Sequence, residues 1–441
     1  MSSAIIHLLE DARRQMRTHL LGHPEANEAV HALAAEINGA LGDGGSIRFD
    51  LIDGALYLDA QRLLDESVYA AELVSDLVAE HVGVLEFTGR VPFDELATFV
   101  ELLARVSRQE GALAQMMAAA DITHIRVASV HERHDVRGPA QIDPREVYRV
   151  GLRTIGGVNY EAAQGETLDL RSTRLLVSSM VDVVLRDPYA FTGLAALRQY
   201  DEDTSHHSIN VAALALMIGL HLRLDEPMLQ ALGTAALLHD IGKMNTPRTV
   251  LRRPGPLGPQ ERVGVDRHPV FGAQLLQHLG GPAKAALIVA LEHHVDYDLS
   301  GYPSITGRRR PHLFTRIIAV ADFFDAVTSA RRTYRRPMLP DQAMRAIVLN
   351  AGTKFDPAIA AIALNLLGAY PVGSVVQLSS REVAVVYRAT DGAPFLPQVR
   401  IVKDPAGIEI DPVMVSLVTD PRRILHALEP RTVGINPGRY L

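Results

Sequence analysis

Apolar positions in the first part of the chain follow a helical period and then a strand period. The pattern that begins at Ile5 has the spacing of an amphipathic helix, and Pro24–Leu41 predicts a second helix. Residues 47–58 alternate between apolar and polar side chains around Asp53-Gly54, which predicts a β-hairpin. The further elements predicted here are helices at about 63–81 and 94–109 and a strand near 84–87. Residues 1–128 are therefore expected to form a small α+β domain.

The pattern changes twice in the rest of the chain. Residues 129–169 are predicted to begin as a linker rich in glycine, proline and clustered charges, with helical spacing resuming from Glu146. Residues 170–370 keep helical spacing almost throughout. Short β-type runs then recur in residues 371–441, at 375–378, 383–387 and 399–402. The predicted fold class is mainly α: an all-helical domain preceded by a small α+β domain and followed by a short β-rich C-terminal extension.

The composition excludes several classes of protein. The 441 residues carry a formal net charge of −7, which argues against a protein that wraps duplex nucleic acid. Because cysteine is absent, any metal must be held by His, Asp or Glu, ligands suited to iron, manganese or zinc. The N-terminus lacks the pattern of a signal peptide, and the most apolar stretch, 211–222, is too short to span a bilayer. These features predict a cytoplasmic protein without a membrane segment.

The strongest candidate for chemistry is the adjacent pair His239-Asp240. The pair closes an apolar helix that Asp225 can cap and that Gly242 is expected to end. A histidine and an aspartate at the buried end of a helix are costly unless each finds a partner. Metal coordination supplies such partners, because neutral imidazole binds a cation and a carboxylate can bridge two cations.

Further histidines and aspartates follow in an order that favours a metal site. His207 opens the apolar helix that continues to Leu222, and Asp203 precedes it by one helical turn. A lone buried histidine is more often a structural residue than a ligand, but the order and spacing of the whole set favour ligation. The candidate metal ligands are His207, His239, Asp240, His268, His293, His294, Asp322 and Asp203.

This series of motifs resembles the HD superfamily of metal-dependent phosphohydrolases, and in particular its HD-GYP subgroup. The resemblance covers roughly residues 170–370 and includes Lys243 after the His-Asp pair, the double histidine and the loop Gly301-Tyr302-Pro303. It also includes Asp322 followed three residues later by Asp325-Ala326.

Three places depart from the family pattern. Val295-Asp296 stands where the family usually has Glu-Arg, and Asp298-Leu299 where it usually has Asp-Gly. The segment 330–335 is one residue longer than usual. No departure removes a ligand, but all lie near the expected substrate site, so they affect the substrate more than the chemistry.

The resemblance implies a phosphodiesterase for a cyclic dinucleotide, most often cyclic di-GMP, that attacks with a hydroxide bridging two metal ions. It implies that Asp240 bridges the ions. The remaining ligands are implied to be His207, His239 and Asp322 on one ion and His268, His293 and His294 on the other. Two or three transition-metal ions are expected, with iron or manganese favoured. Asp203 is the candidate ligand for a third ion, with Asp201 or Glu202 as the alternative acid.

Substrate contacts are also implied by the resemblance. Lys243 is placed to offset the charge of a phosphate, although the role of a cation at a helix C-terminus competes with this interpretation. Arg332 and Arg335 are expected to bind phosphates through their paired donors, and Tyr302 is expected to contact substrate. The arginine run at 308–310 is the alternative phosphate contact.

Two other functions stay open. The first is an HD phosphohydrolase for another nucleotide, such as a hybrid cyclic dinucleotide or a guanosine polyphosphate. The altered loop residues leave this function open, because they lie near the expected substrate site. The second is a non-catalytic nucleotide-sensing adaptor, which the loss of a metal ligand would favour. The N-terminal domain shows no catalytic constellation, so it is expected to be a regulatory or dimerisation module that binds a second copy or a signalling partner.

Overall fold

The structure is a computed structural model, and the part of it described here divides into two compact units. The first comprises Met1–Val150 with Asp169–Ser179, and the second comprises Gly151–Leu168 with Met180–Leu441. The described residues are 3–19, 23–42, 44–59, 61–105, 112–129, 142–191, 204–251, 253, 255–279, 283–304, 306–307, 310–329 and 337–441.

The first unit has the small α+β fold expected from its sequence. In chain order its elements are α1 Ala4–Thr18, α2 Pro24–Leu41, β1 Ser46–Ile52, β2 Ala55–Leu58, β3 Gln61–Arg62, α3 Leu64–Tyr69, α4 Ala71–Ala79, β4 Val82–Thr88, α5 Phe93–Arg105, α6 Ala112–Ala119 and β5 Ile125–Ser129. The strands form one antiparallel sheet in the order β3-β2-β1-β4-β5. The predicted hairpin is confirmed, because Ile52 pairs with Ala55 across Asp53-Gly54.

The core of this unit lies between the sheet and helices α1, α2 and α5. Phe49 of β1, Phe87 of β4 and Phe99 of α5 are completely buried, with adjacent rings meeting edge to face at 6.5 and 6.3 Å. Alternation along the strands places Phe49 and Phe87 on the covered face, where they meet Phe99 of the helix. The periodic apolar positions of the sequence therefore account for the buried core of this unit.

The predicted linker, residues 129–169, contains a long helix. Helix α7 spans Pro144–Gln164, and helix α8 follows at Arg171–Arg186. The helical spacing that resumes at Glu146 thus continues as one helix through most of the predicted linker. The division between the units falls within both helices. The part of α7 up to Val150 and the part of α8 up to Ser179 belong to the first unit, and the rest of each helix belongs to the second.

The second unit is helical up to Leu367. After α8 its helices are α9 Thr204–His221, α10 Glu226–Leu238, a 3-10 helix Ile241–Asn245, α11 Arg248–Leu251, α12 Pro259–Val265, α13 His268–Leu276, α14 Ala283–Glu292, α15 Leu313–Thr328, α16 Pro340–Leu349 and α17 Pro357–Leu367. Helix α9 is buried on nearly all sides and packs against α10, α15 and α17. A helix that is apolar all round belongs in a core, and here it is the element around which the others pack.

A five-stranded sheet ends the second unit. Its strands are β6 Val375–Leu378, β7 Val383–Arg388, β8 Gln398–Lys403, β9 Glu409–Ser416 and β10 Ile424–Leu428, in the antiparallel order β10-β6-β7-β8-β9. The predicted β-rich extension is confirmed, with β9 and β10 added to the three runs seen in the sequence. Successive residues of β7 alternate between two small cores, with Ala384 in one and Val385 in the other.

Within the described part of the chain, no helix combines the length and apolar character needed to cross a bilayer.

Candidate metal centre

Five separate elements of the second unit deliver their polar side chains to one place. His207 lies in the first turn of α9, and His239-Asp240 follows the last residue of α10. His268 begins α13, His293-His294 follows the end of α14, and Asp322 lies within α15. Each helix is largely apolar, so packing of the helices buries these side chains together. The centre is built from four helix termini and one position within a helix, rather than from a single loop.

The first set of side chains, called the His207 group, contains His207, His239 and Asp322, whose candidate ligand atoms all lie within 4.8 Å of one another. His207 Nε2 is 3.0 Å from Asp322 Oδ1, and His239 Nε2 is 3.9 Å from the same oxygen. Both histidines are almost completely buried. Two nitrogens and one carboxylate oxygen thus point into one small space.

The second set, called the His268 group, contains His268, His293 and His294 together with Asp240, again within 4.8 Å. The Nε2 atoms of His268 and His293 are 3.0 Å apart. Asp240 Oδ1 lies 3.3 Å from the first of these nitrogens and 3.5 Å from the second. Two ligand atoms about 2.1 Å from one cation, at angles of roughly 90–110°, are about 3.0–3.4 Å apart, so this spacing fits a shared cation.

Asp240 lies between the two groups. Its Oδ1 faces the His268 group, while its Oδ2 is 3.7 Å from His207 Nε2 and 3.5 Å from His239 Nε2. Lys243 Nζ donates a hydrogen bond to Oδ2. Oδ1 is buried, and its contacts with the two imidazoles do not have hydrogen-bond geometry. A buried carboxylate oxygen without a donor is costly, and a cation would satisfy it.

The protonation of the histidines also favours a cation. Backbone carbonyl oxygens accept hydrogen bonds from Nδ1 of His239 at 2.7 Å, of His268 at 2.7 Å and of His293 at 2.9 Å. Since a carbonyl can only accept, Nδ1 carries the proton, and in the neutral ring Nε2 presents a lone pair. The lone pairs of His268 and His293 then face each other at 3.0 Å, and His239 Nε2 has no hydrogen-bond partner in the described structure. These residues could therefore hold metal ions.

Burial and neighbouring charges set the pKa values of the centre. Burial lowers the pKa of His239 to about 4 and also lowers the pKa of His268 and of His294. Burial alone would raise the pKa of Asp240, but Lys243 and the surrounding imidazoles hold it well below its ordinary value. These three histidines are thus held neutral and Asp240 ionised, which are the forms that bind cations.

The pKa of His207 is shifted in the opposite direction from the pKa values of these three histidines. Burial would lower its pKa, but hydrogen bonds to Asp322 and Asp325 raise it above its ordinary value. Burial would likewise raise the pKa of Asp322, whereas its contact with His207 lowers it strongly. In the metal-free protein the contacts with Asp322 and Asp325 therefore favour the protonated form of His207.

Gly242 has a different role from the one expected. Asp225 caps α10, accepting a hydrogen bond from the Met228 backbone, but α10 ends at Leu238 and Gly242 lies within the 3-10 helix that follows. A Cβ at Gly242 would lie 2.0 Å from the carbonyl oxygen of His268. The glycine therefore permits the close approach of the 3-10 helix to α13, rather than ending α10 by a left-handed conformation.

The loop that contains Gly301-Tyr302-Pro303 packs on the double histidine. The ring of Tyr302 lies 4.6 Å from the ring of His294, and burial raises the pKa of its hydroxyl. Gly301 has a φ of 86°, and a Cβ there would be 2.2 Å from the His294 carbonyl oxygen. Leu299 has a φ of 72°, so it adopts a left-handed conformation where the family usually has glycine.

Several predicted residues lie outside the described part of the chain. These are the candidate third-ion ligands Asp203, Asp201 and Glu202, the phosphate contacts Arg332 and Arg335, and the alternative contacts Arg308 and Arg309. Among the described ones, Arg310 is exposed and its guanidinium lies 5.3 Å from the centre of the Tyr297 ring.

The sequence analysis assigned no function to two buried acids near the centre, although Asp325 is part of the family resemblance. Asp325 Oδ2 lies 2.7 Å from Nδ1 of His207, and its position three residues after Asp322, on the same face of a helix, was the available signal. Glu292 accepts hydrogen bonds from the His312 backbone and the Thr315 hydroxyl, joining the end of α14 to the start of α15. No local pattern in the sequence indicates this second contact.

Comparison with known proteins gives matches in the region of the chain that contains the centre. Residues 186–359 match the HD domain family. Cyclic di-GMP phosphodiesterase PA4108 of Pseudomonas aeruginosa is 34% identical over 241 residues, covering 55% of this chain and 58% of that protein. The cyclic di-GMP phosphodiesterase response regulator RpfG of Xanthomonas campestris pv. campestris is 36% identical over 200 residues, covering 44% of this chain and 52% of that protein.

A third relative is named for a different substrate. The 3'3'-cGAMP-specific phosphodiesterase 3 of Vibrio cholerae is 39% identical over 167 residues, covering 37% of this chain and 36% of that protein. The chain thus matches only about a third to three fifths of the length of these relatives. The matched family region contains both groups of side chains and Asp240. Residues 186–359 of this chain are therefore an HD domain.

Proposed function

We propose that this HD domain is a metal-dependent phosphodiesterase that hydrolyses a cyclic dinucleotide, with cyclic di-GMP as the favoured substrate. The observation that carries the proposal is the position of Asp240, which turns one oxygen towards each group of histidines. Two carboxylate oxygens between two sets of imidazoles suit a pair of cations. The names of the two relatives that act on cyclic di-GMP support the substrate.

The two groups would hold the cations, and iron or manganese is proposed because the ligands are imidazoles and carboxylates without thiolates. Such cations lower the pKa of a water and neutralise charge on phosphoryl oxygens. Hydrogen bonds from Nδ1 to backbone carbonyls hold the rings of His239, His268 and His293 in place. The protein thus brings rigid, largely neutral ligands together before any substrate arrives.

Lys243 supplies positive charge beside the shared carboxylate. Its Nζ contacts Asp240 while its side chain stays 26% exposed, so it can also meet an anionic substrate. Tyr302 packs against His294 and is proposed to border the substrate. Arg332 and Arg335 remain predicted phosphate contacts, and Asp203 remains a predicted ligand of a third ion.

A hybrid cyclic dinucleotide is the second candidate substrate. The relative from Vibrio cholerae named for 3'3'-cGAMP favours it, as do the departures at 295–299 beside the double histidine. Both substrates have the same phosphodiester chemistry and differ in one base. The proposed metal centre therefore serves either, and base preference must come from side chains that contact the bases.

The test is a product assay on the full chain with manganese or iron. Purified protein is incubated with cyclic di-GMP, 3'3'-cGAMP or a guanosine polyphosphate, and the products are separated by chromatography. We expect a linear dinucleotide from at least one cyclic substrate, and about two metal ions per chain by elemental analysis. Hydrolysis no faster than that of an Asp240→Asn variant on both cyclic substrates would refute the proposal.

We also propose that the α+β unit is a regulatory or dimerisation module. It has its own apolar core, and the sequence analysis found no catalytic constellation in it. If the unit dimerises the protein, sedimentation equilibrium of the full chain is expected to show a dimer. If it is regulatory, turnover assays are expected to show a change in activity when a signalling partner binds this unit. A monomer at all concentrations with no such partner effect would contradict the proposal.

A further inference from the structure

We propose that Asp325 is a positioning residue of this centre, which orients His207 and strengthens cation binding by the His207 group. The inference rests on the proposed function above, because it takes the two groups to hold cations. Asp325 is 1% exposed, and its Oδ2 is 2.7 Å from Nδ1 of His207. A carboxylate buried this deeply needs such a partner.

Helix α15 contacts both nitrogens of the same imidazole. Asp322 faces Nε2 of His207 at 3.0 Å, and Asp325, one helical turn later, faces Nδ1 at 2.7 Å. Residues three apart lie on the same face of a helix, so a single element positions the ring and supplies its neighbour in the group. The distance from α9 to α15 is thereby coupled to the geometry of the cation site.

His207 is held differently from three other histidines of the centre. Nδ1 of His239 and Nδ1 of His293 donate to neutral backbone carbonyls, as does Nδ1 of His268. The partner of His207 is an acid, and a hydrogen bond to an ionised acceptor is shorter and stronger than one to a neutral acceptor. A carboxylate on Nδ1 also raises the electron density at Nε2, which makes the imidazole a better ligand. The His207 group should therefore depend on a side chain that can be substituted, whereas His268 and His293 of the other group are held by the backbone.

Two substitutions separate orientation from charge. Asp325→Asn keeps the shape and an oxygen that can accept from Nδ1, but removes the negative charge. Asp325→Ala removes both. Because loss of such a partner typically weakens metal binding 10–100-fold, we expect about tenfold weaker binding of one ion for Asn and about 100-fold for Ala. The ion held by the His268 group should keep its Kd.

The experiment is a Mn²⁺ titration of the metal-free full chain, with free Mn²⁺ counted by its electron paramagnetic resonance signal. Asp356→Asn is the matched control, since Asp356 is also a buried carboxylate that pairs with an arginine of α15 and caps α17. We expect the control to alter thermal stability but neither Kd. Thermal melts of each metal-free variant show how much of any change reflects the fold alone.

The outcomes separate this inference from the proposed function. If the wild-type chain binds two Mn²⁺ and Asp325→Ala has the same two Kd values, the role of Asp325 is refuted and the metal centre stands. Equal weakening of both ions in the Asp325 and Asp356 variants would also refute it, because a loss of general stability would then suffice. If the wild-type chain binds less than one Mn²⁺, the metal centre and the role of Asp325 both fail.

Discussion

Asp240 is the side chain whose substitution should damage the centre most. The oxygens of Asp240 lie within 3.3–3.7 Å of four imidazole nitrogens, two from each group, so this one carboxylate is shared between the two proposed cation sites. Asp240→Asn keeps the volume and an oxygen that can accept from Lys243. It removes the negative charge that lies between the two proposed cations, so repulsion between them is no longer offset.

The magnitude follows from the position of this carboxylate. Loss of a residue that only supports a metal ligand costs 10–100-fold in affinity, and loss of a direct ligand should reach at least the upper end of that range. We therefore expect the Kd of each ion to rise at least about 100-fold, or about 2.7 kcal/mol per ion. Phosphodiesterase activity should be abolished at metal concentrations that saturate the wild type.

The assay combines metal titration, turnover and circular dichroism melts of the same preparations. Asp225→Asn is the matched control, because it neutralises an acid at the other end of α10 and asparagine is an equally good helix cap. It should bind metal and turn over like the wild type. If Asp240→Asn is folded, binds two ions with unchanged Kd and keeps near-normal turnover, the reasoning about the shared carboxylate is wrong.

Three further predictions concern charge, packing and pH. Lys243→Ala should keep or tighten metal binding, because a competing positive charge is removed. The same variant should have a lower kcat. Weaker metal binding in a titration would contradict this. Gly242→Ala should destabilise the protein by about 3 kcal/mol or more, because the added Cβ would overlap the backbone of α13. The control Gly264→Ala places its Cβ in open space and should not destabilise the protein in this way. Urea unfolding measures the stability of both variants. Burial holds the pKa of His239 at about 4 against an ordinary value of 6.5, so the unfolded chain binds the proton first. The free energy of unfolding of the metal-free protein should thus fall by about 3 kcal/mol as the pH falls from 6.5 to 4. His207 partly offsets this loss, because its pKa is raised and its contribution to stability has the opposite sign. Unfolding free energies that stay constant or rise towards pH 4 would refute this.

The sequence by itself determined most of the local structure. The apolar period predicted α2 with the bounds observed, and alternation around Asp53-Gly54 predicted the hairpin of β1 and β2. These elements depend on interactions between residues close in the chain, which the periods of 3.6 and 2 report directly. The candidate ligands could be named for a similar reason, since a pair such as His239-Asp240 at an apolar helix end stands out in its local context.

Only the tertiary structure decided how those residues are arranged. The contact between His207 and Asp325 joins positions 118 residues apart, and the closeness of Gly242 to His268 depends on how two helices pack. The separation of the ligands into two groups was expected from the family resemblance alone, because spacing along a chain does not measure distances between helices. Which imidazole nitrogen faces inward depends on the acceptor that packing places against the other, and that acceptor is a backbone carbonyl for His239 and a carboxylate for His207.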